Sequence, residues 1–339
     1  MSDVAMLAGV SAQTVSRVAN GHTTVKESNR QRVLAAMKQL GYRPNSAARA
    51  LRRGEFRTIG VIILSLSSTG NVRILEAIAT AAARESYAVT LLPVSAPTER
   101  EVRGAFTRFS ESAVDGVIAV MGAELLDSPT VSLPPNVQVA VSDAHAGDRY
   151  SVVDTDQVNG TREAVRHLLD LGHRTVWHLA GPEESFAARR RAAAWQATLA
   201  EAEREIPPLV HGDWSAESGY RAGLRLAAES GCTAVFTAND QMALGLLRAL
   251  NETGREVPGD VSVVGFDDIP ETVSFLPPLT TVRQDFATLG RLLVEGVLRR
   301  LRTDSVEPGI TLVPTHLVVR ASTAPPGVPE GARPAGWHG

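Results

Sequence analysis

Residues 2–21 read SDVAMLAGVSAQTVSRVANG, two short apolar-patterned runs pinched together at Ala8-Gly9-Val10-Ser11. Val4, Ala5 and Ala8 make one stripe at helical spacing, Gly9-Val10-Ser11 interrupts it, and Val15 and Val18 resume it. The pattern predicts helix, tight turn, helix. Gly9 gives the turn its backbone freedom, and Ser11 offers a hydroxyl oxygen to an orphan N–H of the second helix. The small side chains of Ala5 and Ala8 let the helices cross closely. From Glu27 onward, Val33, Leu34, Met37 and Leu40 form the apolar stripe of a third helix, which Gly41 ends. Three helices in about forty residues make a marginal domain, which a binding partner would help to order.

The charge distribution bears on that partner. The chain of 339 residues has a formal net charge of −3, unevenly divided. Residues 1–57 hold ten Lys/Arg against Asp3, Glu27 and Glu55, a charge of +7, and the remainder carries −10. A basic head on an acidic body points to a polyanion. On the second helix Gln13, Thr14, Ser16, Arg17 and Asn20 lie away from the Val15/Val18 stripe. Such side chains pair with base edges and phosphates when a helix enters the major groove. A solvated basic face or a plain helical hairpin is the alternative that charge and pattern leave open.

These residues resemble a known family. "DVAMLAGVSAQTVSRVANG" followed by "VKESNRQRVLAAMKQLGYRPNSAARALR" is similar to the DNA-binding head and hinge of the lactose repressor/galactose repressor family. The resemblance implies that Ala12 and Gln13 read operator bases and Arg17 reads guanine. It also implies that Ser11, Thr14, Ser16 and Asn20 touch the DNA backbone. The family usually carries several residues before "DVA", often with a Thr cap. Here only Met1 and Ser2 precede Asp3, so either Ser2 caps the first helix or the start lies upstream.

The next stretch, "RPNSAARALRRG", follows a proline that cannot continue a helix. Asn45 can cap a new one, but a helix this short is below the roughly 12–15 residues needed for stability in water. The segment is expected to be helical only when packed, or else to serve as a flexible linker. By the resemblance it is a hinge helix in which Asn45, Ala48, Arg49 and Leu51 meet DNA. Leu51 would wedge between base steps in the minor groove, and two such hinges side by side require a dimer.

From Thr58 onward, apolar runs alternate with alanine-rich amphipathic segments: "TIGVIIL", "AVTLLPV", "DGVIAVM", "VQVAVSD", "TVWHLAG", "TAVFTAND" and "VSVVGFDD". Continuous apolar strands between helices predict parallel sheets covered on both faces. Ligands of such sheets sit beyond the carboxyl ends of the strands, and several of these runs end in Asp or Asn. Each could equally cap the helix that follows. The region to about Ser322 resembles the sugar-sensing core of the same family through "LAGPEESFAARRRAAAW", "GDWSAESGY", "FTANDQMALGLLRAL", "DVSVVGFDD" and "PPLTTVRQDFATLG". The resemblance implies that Asp143, Arg191, Asn239 and Asp267 bond sugar hydroxyls and that Trp214 stacks on the sugar. Gln284, Phe286 and Leu289 are lining positions by the same likeness. The loop "SLSSTGNV" departs from the family's pattern, and Asp156 is expected to start a helix at the crossover between lobes.

The expected fold is α/β: an N-terminal three-helix helix-turn-helix head and a two-lobed periplasmic-binding-protein-like core with parallel sheets. The head spans 1–44, the hinge 45–57 and the effector-binding and dimerisation core 58–322. Lobe 1 covers about 58–155 and 286–313, and lobe 2 about 156–283 and 314–322. Residues 323–339, rich in Pro and Gly and lacking a coiled-coil stripe, are expected to be a disordered tail, and the assembly a homodimer rather than a tetramer.

Other classes find little support. No run of eighteen apolar residues and no signal-peptide pattern occurs, so a cytoplasmic protein without membrane contact is expected. One cysteine, Cys232, forbids an internal disulfide and a multi-thiolate metal site. His167, His173 and His178 fit no zinc spacing and are expected at the surface or in packing. G-x-G-x-x-G, P-loop and G-x-S-x-G motifs are absent, and adjacent Asp267 and Asp268 diverge rather than flank one glycosidic bond. No enzyme activity, cofactor or metal is expected. The partners that the resemblance implies are operator double-stranded DNA and a small sugar or glycoside. Rival readings are a transport-type sugar-binding protein and a ligand-independent DNA binder.

Overall fold

The computed structural model describes residues 1–19, 24–42, 54–64, 66, 68–94, 98–121, 151–303 and 309–327, and the backbone of 138–142. The chain divides into two units, Met1–Phe56 and Arg57–Gly339.

The first unit has helices α1 (Ser2–Ala8), α2 (Ala12–Ala19) and α3 (Glu27–Gln39). Gly9 lies in the left-handed region, φ 58°, and its N–H closes the end of α1 on Ala5 and Met6. Ser11 Oγ accepts the N–H of Thr14 at 3.2 Å, which starts α2. Ser2 does not cap α1: it is the first helical residue, and Met1 precedes it without a side-chain bond. Val4, Ala5, Ala8, Val15, Val18, Val33, Ala36 and Met37 form the core. Leu34 and Leu40 do not join it; each is about half exposed, since Ala36 rather than Leu34 faces α1 and α2. Arg32, one of the ten basic residues of 1–57, reaches from α3 to the open end of α1. Its Nε bonds Ala8 O at 2.9 Å and its Nη2 bonds Gly9 O at 2.8 Å.

The second unit holds two six-stranded sheets. The first lobe orders its strands β11-β5-β4-β3-β1-β2, from β1 (Thr58–Leu64), β2 (Ala88–Val94), β3 (Gly116–Val120), β4 (Gln138–Ser142), β5 (Ser151–Thr155) and β11 (Gly309–Val313). Neighbouring strands in this lobe pair in parallel. Alternate residues of β1 enter different cores. Ile62 packs with Phe106 and Phe109 of α5 (Glu99–Glu111). Ile59, Val61 and Ile63 pack with α4 (Thr69–Arg84) and α10 (Phe286–Thr303). Burial on both faces is why β1 reads as an unbroken apolar run.

The second lobe orders its strands β12-β10-β9-β8-β6-β7, from β6 (Trp177–Ala180), β7 (Val210–His211), β8 (Ala234–Thr237), β9 (Ser262–Asp267), β10 (Thr280–Gln284) and β12 (Thr315–Val318). Helices α8 (Ala216–Ala228) and α9 (Asp240–Glu252) cover one face, α6 (Gln157–Asp170) and α7 (Phe186–Glu201) the other. The parallel expectation fails at one edge, where β12 runs antiparallel to β10, because the chain returns from β11 across the single residue Pro314. The chain passes between lobes at Asp156, Asp285 and Pro314. The first and last passages are tied: Asp156 N–H donates to Val313 O at 2.9 Å, and Thr315 Oγ1 donates to Asp156 O at 3.0 Å. Asp156 caps α6 by accepting the N–H of Asn159.

The expected tail is pinned at its start. His167 bonds Thr323 at 2.9 Å, and Ala324 exchanges bonds with Ser262 while its carbonyl also accepts from His173 Nε2. Residues 328–339 lie outside the described part. Cys232 is buried in the second-lobe core, where burial pushes its thiol up to about 12. No described helix is long and apolar enough to cross a membrane.

His178 is fully buried on β6, stacked 4.8 Å from Phe236, and its Nδ1 donates to Phe236 O at 2.9 Å. Burial lowers its pKa from 6.5 to about 4. The unfolded chain therefore takes up a proton below pH 6.5 that the native state refuses until about pH 4, and stability falls as pH drops through that window. Comparison with His178→Leu isolates this term. The stability difference between wild type and variant is expected to shift by about 3 kcal/mol against the wild type from pH 7 to pH 4. Urea titrations at both pH values check it; a constant difference contradicts it.

Candidate functional site: a basic head face and an arginine-centred cleft

On α2, Ala12, Gln13 and Arg17 are exposed, Thr14 and Ser16 half-buried, and Ser11 is exposed just ahead of the helix. Val15 and Val18 hold the opposite face in the core. The helix thus presents the small, amide and guanidinium side chains together, with the Ser11 and Thr14 hydroxyls 2.9 Å apart at its start. Asn20, Asn45, Ala48, Arg49 and Leu51 lie outside the described residues.

In the core, the carboxyl ends of β5, β8, β9 and β10 gather around Arg191 of α7. Arg191 is 4% exposed. Its Nε donates to Gln157 Oε1 at 2.8 Å, and Nη1 donates to Ala238 O. Nη2 lies 4.0 Å from Asp267 Oδ1. The guanidinium carbon sits 3.7 Å from the Phe266 ring centre and 5.7 Å from that of Trp214. A buried cation held between an aromatic face and a carboxylate is fixed in place and charge-matched.

Asp267 is buried at the end of β9 with φ 120°, and Trp214 has φ 74°. Non-glycine residues in this region carry backbone strain that the surroundings must hold, and such strain clusters at ligand clamps. Burial pushes the Asp267 carboxyl up to about 6, while Arg191, the bond from Gln284 and the charge of Arg73 pull against it. Gln284 Nε2 donates to Asp267 Oδ1 at 2.6 Å. Gly70, at the start of α4 in the first lobe, also approaches the Asp267 carboxylate: a Cβ there would lie 4.0 Å from Oδ2. Asp268 turns elsewhere. Despite its burial, bonds from Arg320 and Arg283 hold its carboxyl below the usual range. The two adjacent carboxylates therefore serve different partners.

Asn239 caps α9: Oδ1 accepts the N–H of Met242 at 2.9 Å, and Nδ2 donates to Trp214 O at 3.0 Å. It thereby ties the Trp214 loop to the sheet. The Trp214 ring lies on Gly181, where an added Cβ would be 2.4 Å from the ring. Arg191, Trp214, Asn239, Asp267 and Gln284 are thus brought together. Leu289 is not: it is 1% exposed inside the first-lobe core, with Phe286 half-buried against the same cluster. Asp143 lies outside the described residues.

Sequence reasoning missed Gln157 and Phe266, and gave Asp240 only as the polar end of an apolar run. Asp240 is fully buried, bonded by Thr281 Oγ1 at 2.5 Å and by the N–H of Ile269 at 2.9 Å. Burial first, then the Asp267 charge, push its carboxyl well above the usual range. Its polar neighbour in "AND" was the available signal; Gln157 and Phe266 gave none. The histidines fill packing positions, and no group of metal-binding side chains occurs among the described residues.

A three-helix head with an exposed polar recognition face, followed in sequence by a two-lobed sheet core with a buried polar cluster at its strand ends, defines a helix-turn-helix protein with a binding-protein-like core. Residues 1–45 match the family model described as "Bacterial regulatory proteins, lacI family", and residues 165–323 match "Periplasmic binding protein-like domain". The lactose operon repressor of Escherichia coli (strain K12) is 36% identical over 328 residues, covering 96% of this chain and 90% of the relative. The transcriptional repressor PurR of Haemophilus influenzae (strain PittEE) is 32% identical, covering 89% and 90%. The structure of the lac repressor dimer bound to operator and the anti-inducer ONPF superposes with TM-score 0.86 at 35% identity, covering 95% and 98%. A complex of the transcriptional regulator CelR with cellobiose gives 0.69 at 29%, covering 94% and 98%. The chain belongs to the lacI family of bacterial regulatory proteins and is a DNA-binding transcription regulator.

Proposed function

We propose that this regulator is a transcriptional repressor of a carbohydrate-utilisation operon. It binds a near-palindromic operator in the cytoplasm as a homodimer and is released by a small sugar or glycoside held between the core lobes. The observation that carries the reading is the Arg191 cluster, in which a guanidinium, the Asp267 carboxylate, the Gln284 amide and the Trp214 ring converge at the strand ends. Carboxylate, guanidinium and amide suit adjacent hydroxyls, and an indole face suits the C–H side of a sugar. Asp143, Arg191, Trp214, Asn239, Asp267 and Gln284 are the proposed effector residues, with Phe286 and Leu289 behind them. Ser11, Ala12, Gln13, Thr14, Ser16, Arg17, Asn20, Asn45, Ala48, Arg49 and Leu51 are the proposed DNA residues. The domain limits proposed are 1–44 for the head, 45–57 for the hinge and 58–322 for the core. Swinging the operator-competent population from 99:1 to 1:99 requires a sugar preference of about 10⁴-fold for the other state, roughly 5.5 kcal/mol.

Two kinds of support favour this over a transport protein or a ligand-independent DNA binder: the basic head argues against the first, and the second leaves the buried polar cluster without a use. Gel-shift titration on DNA from upstream of the chain's own gene, with and without sugars, tests the reading. Arg17→Ala is expected to weaken operator binding about ten- to hundredfold, the worth of one bidentate base contact. Unchanged affinity removes Arg17 from the base-reading set, and operator binding that ignores every sugar overturns the effector reading.

A further inference from the structure

A second buried carboxylate, Asp154, lies near the Arg191 cluster. It stands at the carboxyl end of β5 in the first lobe and is 3% exposed. Its Oδ1 accepts the N–H of Thr155 at 2.7 Å. Its Oδ2 is enclosed and no donor meets hydrogen-bond geometry on it among the described residues, while the Gln157 side chain lies near enough to help hold the carboxyl's pKa down. A buried carboxylate oxygen without a donor is costly, so its retention asks for a donor that arrives from outside. Burial pushes the carboxyl up to about 6, while the Thr155 N–H, the charges of Arg190 and Arg191 and the Gln157 side chain pull against it.

Its position says what arrives. Arg190 and Arg191 both belong to α7 of the second lobe, and Arg191 is the guanidinium that stands 4.0 Å from Asp267. One carboxylate from each lobe therefore acts on a single arginine, at the strand ends where the effector is placed. Arg191 gives its Nε to Gln157 and its Nη1 to the Ala238 carbonyl, so neither of these donors is directed at Asp154 Oδ2.

We infer that Asp154 Oδ2 is the first lobe's acceptor for one hydroxyl of the effector, and so selects a neutral polyol whose hydroxyl at that position is unsubstituted. The inference rests on the sugar-effector reading above. Removing that hydroxyl leaves the carboxylate without its donor, and a phosphate ester there places like charge against it. An effector that touches Asp154 of one lobe and Asp267 of the other also bridges the two lobes, which gives closure a direct chemical cause.

Thermal-shift measurements on the full chain with lactose, cellobiose, D-galactose, D-glucose and D-ribose select the sugar giving the largest stabilisation. That sugar and its monodeoxy analogues are then titrated calorimetrically into wild type, Asp154→Asn and Asp154→Ala. One analogue is expected to bind wild type about ten- to hundredfold more weakly than the parent, as for a hydrogen bond to a charged group. The ratio should shrink in Asp154→Asn and vanish in Asp154→Ala. A merely structural role for Asp154 would lower all affinities by one factor and keep every ratio, which overturns the inference alone. Should wild type bind none of the sugars, the effector reading falls and the inference with it. Asp154→Asn keeps the side-chain shape, so the ratio can be read even where Asp154→Ala fails to fold.

Discussion

Arg191→Met is expected to abolish the sugar response and to lower stability by about 3–5 kcal/mol, the cost of breaking a buried ion pair from one side. The methionine fills most of the space of the arginine stem, so the loss measures charge and hydrogen bonds rather than a cavity. It leaves Asp267 without its 4.0 Å cation, and Gln157 Oε1 and Ala238 O without their donors. The deficit should depend on pH with a definite sign. In the wild type the Asp154 and Asp267 carboxyls already sit near 6, above their ordinary value of 3.8. A carboxyl raised in the native state takes its proton there first, so the native state gains on the unfolded one as pH falls through the folded value toward 3.8. Without Arg191 both carboxyls rise further, and the variant should recover part of its deficit between pH 8 and pH 5. Urea titrations at the two pH values read this directly. A pH-independent deficit, or a sugar response that survives, would show that Arg191 is not the centre of the cluster.

Gly245→Val should cost about 3 kcal/mol or more, because the space is occupied by backbone that cannot rotate away. A Cβ at 245 would lie 1.9 Å from Ala216 O and 2.5 Å from Tyr220 N. The approach is reciprocal: a Cβ at Gly219 would lie 2.2 Å from Met242 O. Helices α8 and α9 therefore touch main chain to main chain, and a branched side chain must push them apart. Asn239 caps α9 and holds the Trp214 carbonyl, so displacement of α9 should also move the indole and change its fluorescence. Gly231→Ala, where nothing lies within 4 Å, is the control and should leave stability unchanged. A Gly245→Val protein as stable as that control would refute the close crossing.

The cleft residues were legible unevenly, and the reason differs from residue to residue. Asp267 and Asn239 stand at the ends of strong apolar runs, which places them at a sheet's ligand-binding edge before any coordinates exist. Leu289 was assigned to the cleft by likeness, yet it packs inside the first lobe, because its place on α10 turns it toward β1 and α4. Gln157 and Asp154 belong to the segment read only as a crossover, "VVDTDQVNG", and what makes them notable is burial against an arginine thirty-odd residues away. Arg32 shows the same limit in the head: a positive charge on a helix is visible in sequence, but its use on the carbonyls of Ala8 and Gly9 is not.

By itself the sequence determined the helix-turn-helix and the central strands of both sheets, because both are written in local periodicity: apolar residues three and four apart around Gly9, and unbroken apolar runs where a strand is covered on both sides. Tertiary structure alone decided the remaining strands and the centre. The short strands β5, β7, β10, β11 and β12 take their identity from partners distant in the chain, including the antiparallel turn of β12. The charge pattern around Arg191 exists only once two lobes close their strand ends on one guanidinium, since desolvation and Coulomb energy depend on separation in space and not along the chain.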